Sequence, residues 1–334
     1  MAPEKSTIDR IDSPLAPPSV PPPSVTPPSV PVPAVVAQAV RAVHRVSPRA
    51  AGRLAADLWF RLPPRASAQR RARHQPPGGE PFTLQWAGGS VSGRRFGSKG
   101  APTAYLVHGW GGWWQQLGAF VPPLLEADFQ VVAFDGPSHG DSGPGRFGPR
   151  STSLVELAES LSAVVEAHGP AEVVVTHSVG GAATLHAHEL GLQPGRLVLV
   201  APPVAMTPIL RWFAGGLGLG GDAVRHLLTR AEDRVGWPLD HFDAVAMTRR
   251  RSGQPPLLLV HDRDDVETPA RGSQSLAEVW PAAELLLTEG LGHRRVLWDP
   301  EVVERAVAFA TGRGTAGSDE EPAASTLRVS PRGR

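Results

Sequence analysis

Val173-Val174-Val175-Thr176-His177-Ser178-Val179-Gly180-Gly181-Ala182-Ala183 passes from a β-branched apolar run, through one serine, into a stretch of small helix formers. A run of valines suits a strand buried on both faces. The glycines and alanines after Ser178 let a helix start close against that strand. A sharp strand-to-helix turn of this kind lifts a serine hydroxyl above the edge of a sheet, and small neighbours allow the backbone to crowd around it. The N–H of Val179 then sits at the positive end of the helix, where it can face a developing oxyanion. An ordinary strand-to-helix turn has the same local pattern, so the neighbouring text has to decide.

Outward from this stretch, short apolar runs alternate with helical patterns. Thr103–Val107, Gln130–Phe134, Glu172–Thr176, Arg196–Val200, Pro256–Val260 and Glu284–Leu287 read as buried strands, and Phe82–Trp86 with Ser90–Phe96 as an opening strand pair. Ser153–His168 and Ala182–Leu190 read as helices between them. Strand alternating with helix predicts an α/β fold, a mostly parallel sheet with helices on both faces. Between Val200 and Pro255 no strand pattern occurs. Helical pieces there, around Pro208–Phe213, Asp222–Val235 and Asp240–Arg250, predict a helical insertion over residues 203–254.

Three further loops carry chemistry. His108-Gly109-Trp110-Gly111-Gly112 leaves the Thr103–Val107 strand, and its glycines allow a backbone N–H to face a site. Trp110 N–H is the candidate second oxyanion donor, while His108 reads as a structural hydrogen-bonding residue. Val260-His261-Asp262-Arg263-Asp264-Asp265-Val266-Glu267-Thr268-Pro269 is a strand running into an acidic loop, where a carboxylate can hold a histidine in one tautomer. A solvated acidic loop would look the same. Thr288-Glu289-Gly290-Leu291-Gly292-His293 follows the last strand, and of 12 histidines only His293 stands in a glycine-rich loop at that position.

These loops, with Phe134-Asp135-Gly136-Pro137-Ser138-His139-Gly140-Asp141-Ser142 after the next strand, resemble the α/β-hydrolase superfamily over about residues 81–312, in its serine carboxylesterase-like branch. The order serine, acid, histidine along the chain is that superfamily's. The resemblance implies Ser178 as nucleophile, His293 as general base and a helical cap at 203–254. In the family pattern the acid lies four residues before a proline and four after the strand-ending histidine, which implies Asp265, with Asp264 as the alternative. Thr176 replaces the family's usual glycine two residues before the serine. Asp135 and His139 are expected to fix their turn. A serine at the elbow argues against the dehalogenase and epoxide-hydrolase branches. The implied reaction is hydrolysis of a carboxylic ester or thioester on a small acyl substrate. Other acyl-transfer or amidase chemistry on the same residues, or a non-catalytic binding protein of this fold, are the alternatives. No metal or organic cofactor is required. Trp212 and Phe213 in the cap are candidates for an apolar acyl pocket, or equally for the cap's own core.

Composition narrows the partners. A formal net charge of +1 gives no pull toward nucleic acid. Zero cysteines exclude thiolate chemistry and disulfides, and fit a cytoplasmic location. No secretory signal or run of about 18 apolar residues is visible. Of 36 prolines, 11 lie in residues 1–33, where Pro-Pro-Ser-Val recurs from Pro17, Pro22 and Pro27; this segment is expected to be disordered. Residues 34–75 are expected to form a helical arm, with Ser47-Pro48 starting a second helix. That arm packs on the domain, or residues 34–60 associate weakly with a membrane surface. Residues 313–334 are expected to be a flexible tail. Oligomeric state is not legible.

Overall fold

The computed structural model describes residues 32–312 and the backbone of Leu327–Val329. The proline-rich repeat and most of the tail lie outside the described residues. Nine strands form one sheet: β1 (Glu80–Trp86), β2 (Gly89–Phe96), β3 (Thr103–Val107), β4 (Gln130–Phe134), β5 (Ala171–His177), β6 (Arg196–Val200), β7 (Leu257–Asp262), β8 (Ala283–Thr288) and β9 (Leu327–Val329). Their order is β1-β2-β4-β3-β5-β6-β7-β8-β9, antiparallel at β1/β2 and β2/β4 and parallel elsewhere. The sheet predicted from the alternation of strands and helices is therefore present.

The central strands read as unbroken apolar runs because both faces are covered. Tyr105 and Val107 of β3 enter one core and Ala104 and Leu106 the other. Leu257 and Leu259 of β7 part from Leu258 and Val260 in the same way. This is the two-residue period of a strand at work. The Leu154–His168 helix starts where Ser153 Oγ accepts the Glu156 N–H, 3.2 Å away.

The connectivity creates a crevice. From β3 the chain crosses to β4 on one side, and from β5 it crosses to β6 on the other. The loops that leave β3 and β5 therefore diverge, and open parallel sheets bind ligands at such a point. The β3 loop and Ser178 both stand there.

The predicted insertion is helical: Met206–Gly216, Gly221–Val235, the short turn Leu239–Phe242 and Ala244–Arg250. The arm forms the helices Ala34–Val46 and Pro48–Trp59, the second capped by Ser47 Oγ accepting Ala50 N–H at 3.2 Å. The arm packs on the cap. A Cβ at Gly52 would stand 2.5 Å from Ala223 O, so only glycine allows the two helices this approach. Arg41 donates to the carbonyls of Leu217 and Gly216 at 3.3 and 3.4 Å, tying the glycine-rich cap stretch to the arm. Phe213 is buried with its ring 5.2 Å from Trp59. Phe213→Ala is expected to lower stability by roughly 3–5 kcal/mol, the cost of removing a packed core ring, read as the midpoint of chemical denaturation.

Candidate active site

Ser178 is the first residue past the β5 ladder, in which His177 still pairs with Val200. Its N–H donates to Val200 O at 2.9 Å, and its backbone takes φ 52° and ψ −130°. A side chain tolerates that conformation only where the surroundings enforce it. Enforcement comes from the next loop. A Cβ at Gly109 would lie 2.8 Å from Ser178 Cβ, and one at Gly180 would lie 2.6 Å from His108 O. The helix Val179–Glu189 runs inward from the serine. The Ser178 hydroxyl makes no hydrogen bond among the described residues. Among the same residues, the N–H groups of Val179 and Trp110 also donate to no one.

Two buried histidines tie the β3 loop to the loop after β4. His108 is buried, with Nδ1 donating to Gly109 O at 2.7 Å and Nε2 accepting Gly136 N–H at 2.9 Å. His139 accepts Gly111 N–H at Nε2 (3.0 Å) and donates from Nδ1 to Pro137 O (3.0 Å). Burial lowers the pKa of both rings, so they stay neutral and serve as fixed linkers between the two loops. Asp135 accepts the N–H groups of Trp114 and Asp141, each at 2.8 Å.

His293 sits in the short turn Gly292–Arg295 and is 8% exposed. Its Nδ1 stands 2.7 Å from Asp265 Oδ2. The carboxylate is fully held: Oδ1 accepts the N–H groups of Glu267 and Thr268 at 2.8 and 2.9 Å, and Oδ2 also accepts the Thr268 hydroxyl at 2.9 Å. His261 Nε2 lies 3.3 Å from the same oxygen. Burial by itself raises this group's pKa. The hydrogen bonds from His261 and His293 outweigh it and hold the carboxyl well below the usual range. Asp264 is exposed and turns away, accepting Gly290 N–H at 3.0 Å.

Four residues to which the sequence assigns no part in the site belong here. Thr268 Oγ stands beside the Asp265–His293 pair, 2.9 Å from Asp265 Oδ2 and 3.1 Å from His293 Nδ1. An Asp three residues before a Thr, closing a turn on its N–H, was the available signal. His177 is buried and donates from Nε2 to His293 O at 2.8 Å. Burial, reinforced by His293, drops its pKa to about 3, so it remains neutral. Glu267 Oε2 comes within 4.0 Å of His293 Nε2, and Arg294 pairs with it at 3.3 Å. His261 had been read only as the end of its strand. Of the two pocket candidates, Trp212 is half-buried in the Met206–Gly216 helix, and Phe213 belongs to the core shared by cap and arm.

Residues 104–306 match the Alpha/beta hydrolase family, and the chain belongs to that family. Among solved structures it is similar to carboxylesterase CesB (YbfK) from Bacillus subtilis, at 17% identity over 79% of this chain and 99% of that one, TM-score 0.53. It is similar to serine hydrolase CCSP0084 from the bacterium Cycloclasticus zankles, at 16% identity over 71% and 100%, TM-score 0.54. It is also similar to esterase RhEst1 from Rhodococcus sp. ECU1013, at 18% over 70% and 98%, TM-score 0.51. No curated protein matches. No helix among the described residues is long and apolar enough to cross a membrane.

Proposed function

We propose that the protein is a serine hydrolase that cleaves a carboxylic ester or thioester of a small acyl substrate through an acyl-enzyme. The observation that carries this reading is the 2.7 Å contact between His293 Nδ1 and the buried, hydrogen-bonded Asp265, beside a serine held at a strained strand-to-helix turn. The similar solved structures include a carboxylesterase, an esterase and a serine hydrolase, which supports the same reading.

Asp265 keeps the proton of neutral His293 on Nδ1, which leaves Nε2 as a base. Ser178 Oγ attacks the acyl carbon as its proton passes to Nε2. The carbonyl oxygen becomes an oxyanion, received by the N–H groups of Val179 and Trp110. His293 returns the proton to the leaving alkoxide or thiolate. A water then attacks the acyl group by the same route, which releases the acid and restores the serine.

A fluorophosphonate probe tests this directly. Mass spectrometry is expected to find the adduct on the peptide that contains Ser178. An unlabelled protein, or a label elsewhere, overturns the reading.

Two substitutions probe the surroundings. Gly109→Ala drives a methyl against Ser178 Cβ and to 3.2 Å from both His177 O and Nδ1. A shift of about 1 Å in the reacting groups costs roughly 10²-fold, so kcat is expected to fall by that order with little change in melting temperature. Trp212→Ala is expected to change the ratio of butyrate to octanoate hydrolysis on the order of tenfold. A uniform loss over all chain lengths, with a lower melting temperature, would make Trp212 part of the cap core.

A further inference from the structure

The far end of the helix behind Ser178 carries chemistry that acyl transfer does not use. His186 and Glu189 stand three residues apart and so share one face of that helix. The cap turn Leu239–Phe242 lays His241 against this face. His241 Nε2 is 3.1 Å from His186 Nδ1 and 3.2 Å from Glu189 Oε2, and one donor atom from each of the three residues lies within 4.8 Å of the others. Tetrahedral bonds of about 2.0–2.2 Å from nitrogen and oxygen place neighbouring donors roughly 3.3–3.6 Å apart. The two short separations are close to that spacing.

Hydrogen bonding does not satisfy this group. An imidazole nitrogen offers either one N–H or one lone pair. A proton on His241 Nε2 serves either the carboxylate or His186, never both well. Without that proton, two lone-pair atoms face each other across 3.2 Å. Glu189 Oε2 is accordingly buried without a hydrogen bond, despite its proximity to that nitrogen. A cation at the common centre takes a lone pair from all three.

The surroundings suit ligation. His186 is fully buried and His241 partly so. Glu189 and Arg250 lie beside the two rings. Arg250 approaches Glu189 Oε1 at 3.4 Å, which leaves Oε2 to the imidazoles, and reaches His241 O at 3.4 Å. Trp237 stacks on His241 at 4.2 Å and meets the His186 ring edge-on at 5.4 Å, fixing both orientations. The side chains of His241 and Glu189 remain 15% and 20% exposed, so an ion can enter from solvent. Two imidazoles with one carboxylate favour zinc-like ions over calcium or magnesium.

We propose that His186, Glu189 and His241 bind a divalent transition metal of the zinc class, with water in the fourth position, and that the ion fastens the cap to the Val179–Glu189 helix. The site takes no part in the acyl cycle, and its test is independent of that reading.

The experiment uses the untagged full chain after chelator treatment, titrated with Co(II) and then Zn(II). Expected are the visible bands of tetrahedral Co(II) at one ion per chain and their displacement by zinc. Zinc at a hundred times its Kd is expected to raise the melting temperature by roughly 5 °C. His241→Gln and Glu189→Gln, both at partly exposed positions, are expected to weaken Co(II) binding by about 100-fold or more, since even outer-shell partners are worth 10–100-fold. Absent bands in the wild type, or equal binding in the folded variants, overturn the site.

Discussion

Ser178→Ala is expected to reduce kcat for a short p-nitrophenyl ester by about 10⁶-fold, the scale of nucleophile loss in serine hydrolysis. The residue is the point where β5 ends and the helix begins, and its hydroxyl is the one side-chain group that bonds to the acyl carbon in the proposed cycle. Alanine keeps the same strained backbone, φ 52°, and the Val200 hydrogen bond belongs to the main chain. The fold is therefore retained. Circular dichroism and melting temperature should match the wild type while fluorophosphonate labelling disappears. Full activity in this variant removes the serine from the reaction.

Asp265→Asn is expected to lower kcat by roughly 10³–10⁴-fold, the effect of losing the orienting acid in a serine protease. An amide placed 2.7 Å from His293 Nδ1 can present its N–H₂ there and favour the tautomer with Nε2 protonated. The base then faces the serine with a proton already in place. KM should change little, because the carboxylate is buried and touches no substrate. The variant should also melt earlier at neutral pH. The carboxyl's folded pKa is lowered, so its contribution to stability is complete above about 3.9, its unfolded value, and declines as pH falls below that. Asp264→Asn serves as the control. Its side chain is exposed and caps only Gly290 N–H, so kcat should stay within a few-fold. The reverse ranking moves the acid to Asp264.

Local chemistry made much of the fold readable. Thr103–Val107, Gln130–Phe134 and Arg196–Val200 are strands with the same limits in sequence and structure. Each opens on one polar residue (Thr103, Gln130, Arg196) and continues as four apolar ones, because both faces of the strand interior are covered. Ser47-Pro48 and Ser153 marked helix starts because a capping oxygen and a fixed proline φ act within one turn. The strand-to-helix transition at Ser178 was legible for the same reason.

What joins distant segments was decided by packing alone. Two neighbouring aspartates cannot be told apart by composition. Only the turn, closed by the Thr268 N–H on Asp265, sends one carboxylate inward to His293 and leaves the other outside on Gly290. His177 reads only as the residue between the Glu172–Thr176 strand and Ser178 until the β8 loop, 116 residues later, brings His293 O to its ring. His186 and His241, 55 residues apart, meet because the Leu239–Phe242 turn folds back on the Val179–Glu189 helix. The arm's glycine at position 52 had no reading until the cap helix crossed it. Periodicity, caps and turns are set by neighbours along the chain, so the sequence by itself determined β1 to β8, the main helices and the elbow, but not β9, which pairs with β8 from within the stretch expected to be a flexible tail. Which side chains face each other depends on the angles at which those elements pack, and that only the tertiary structure decided.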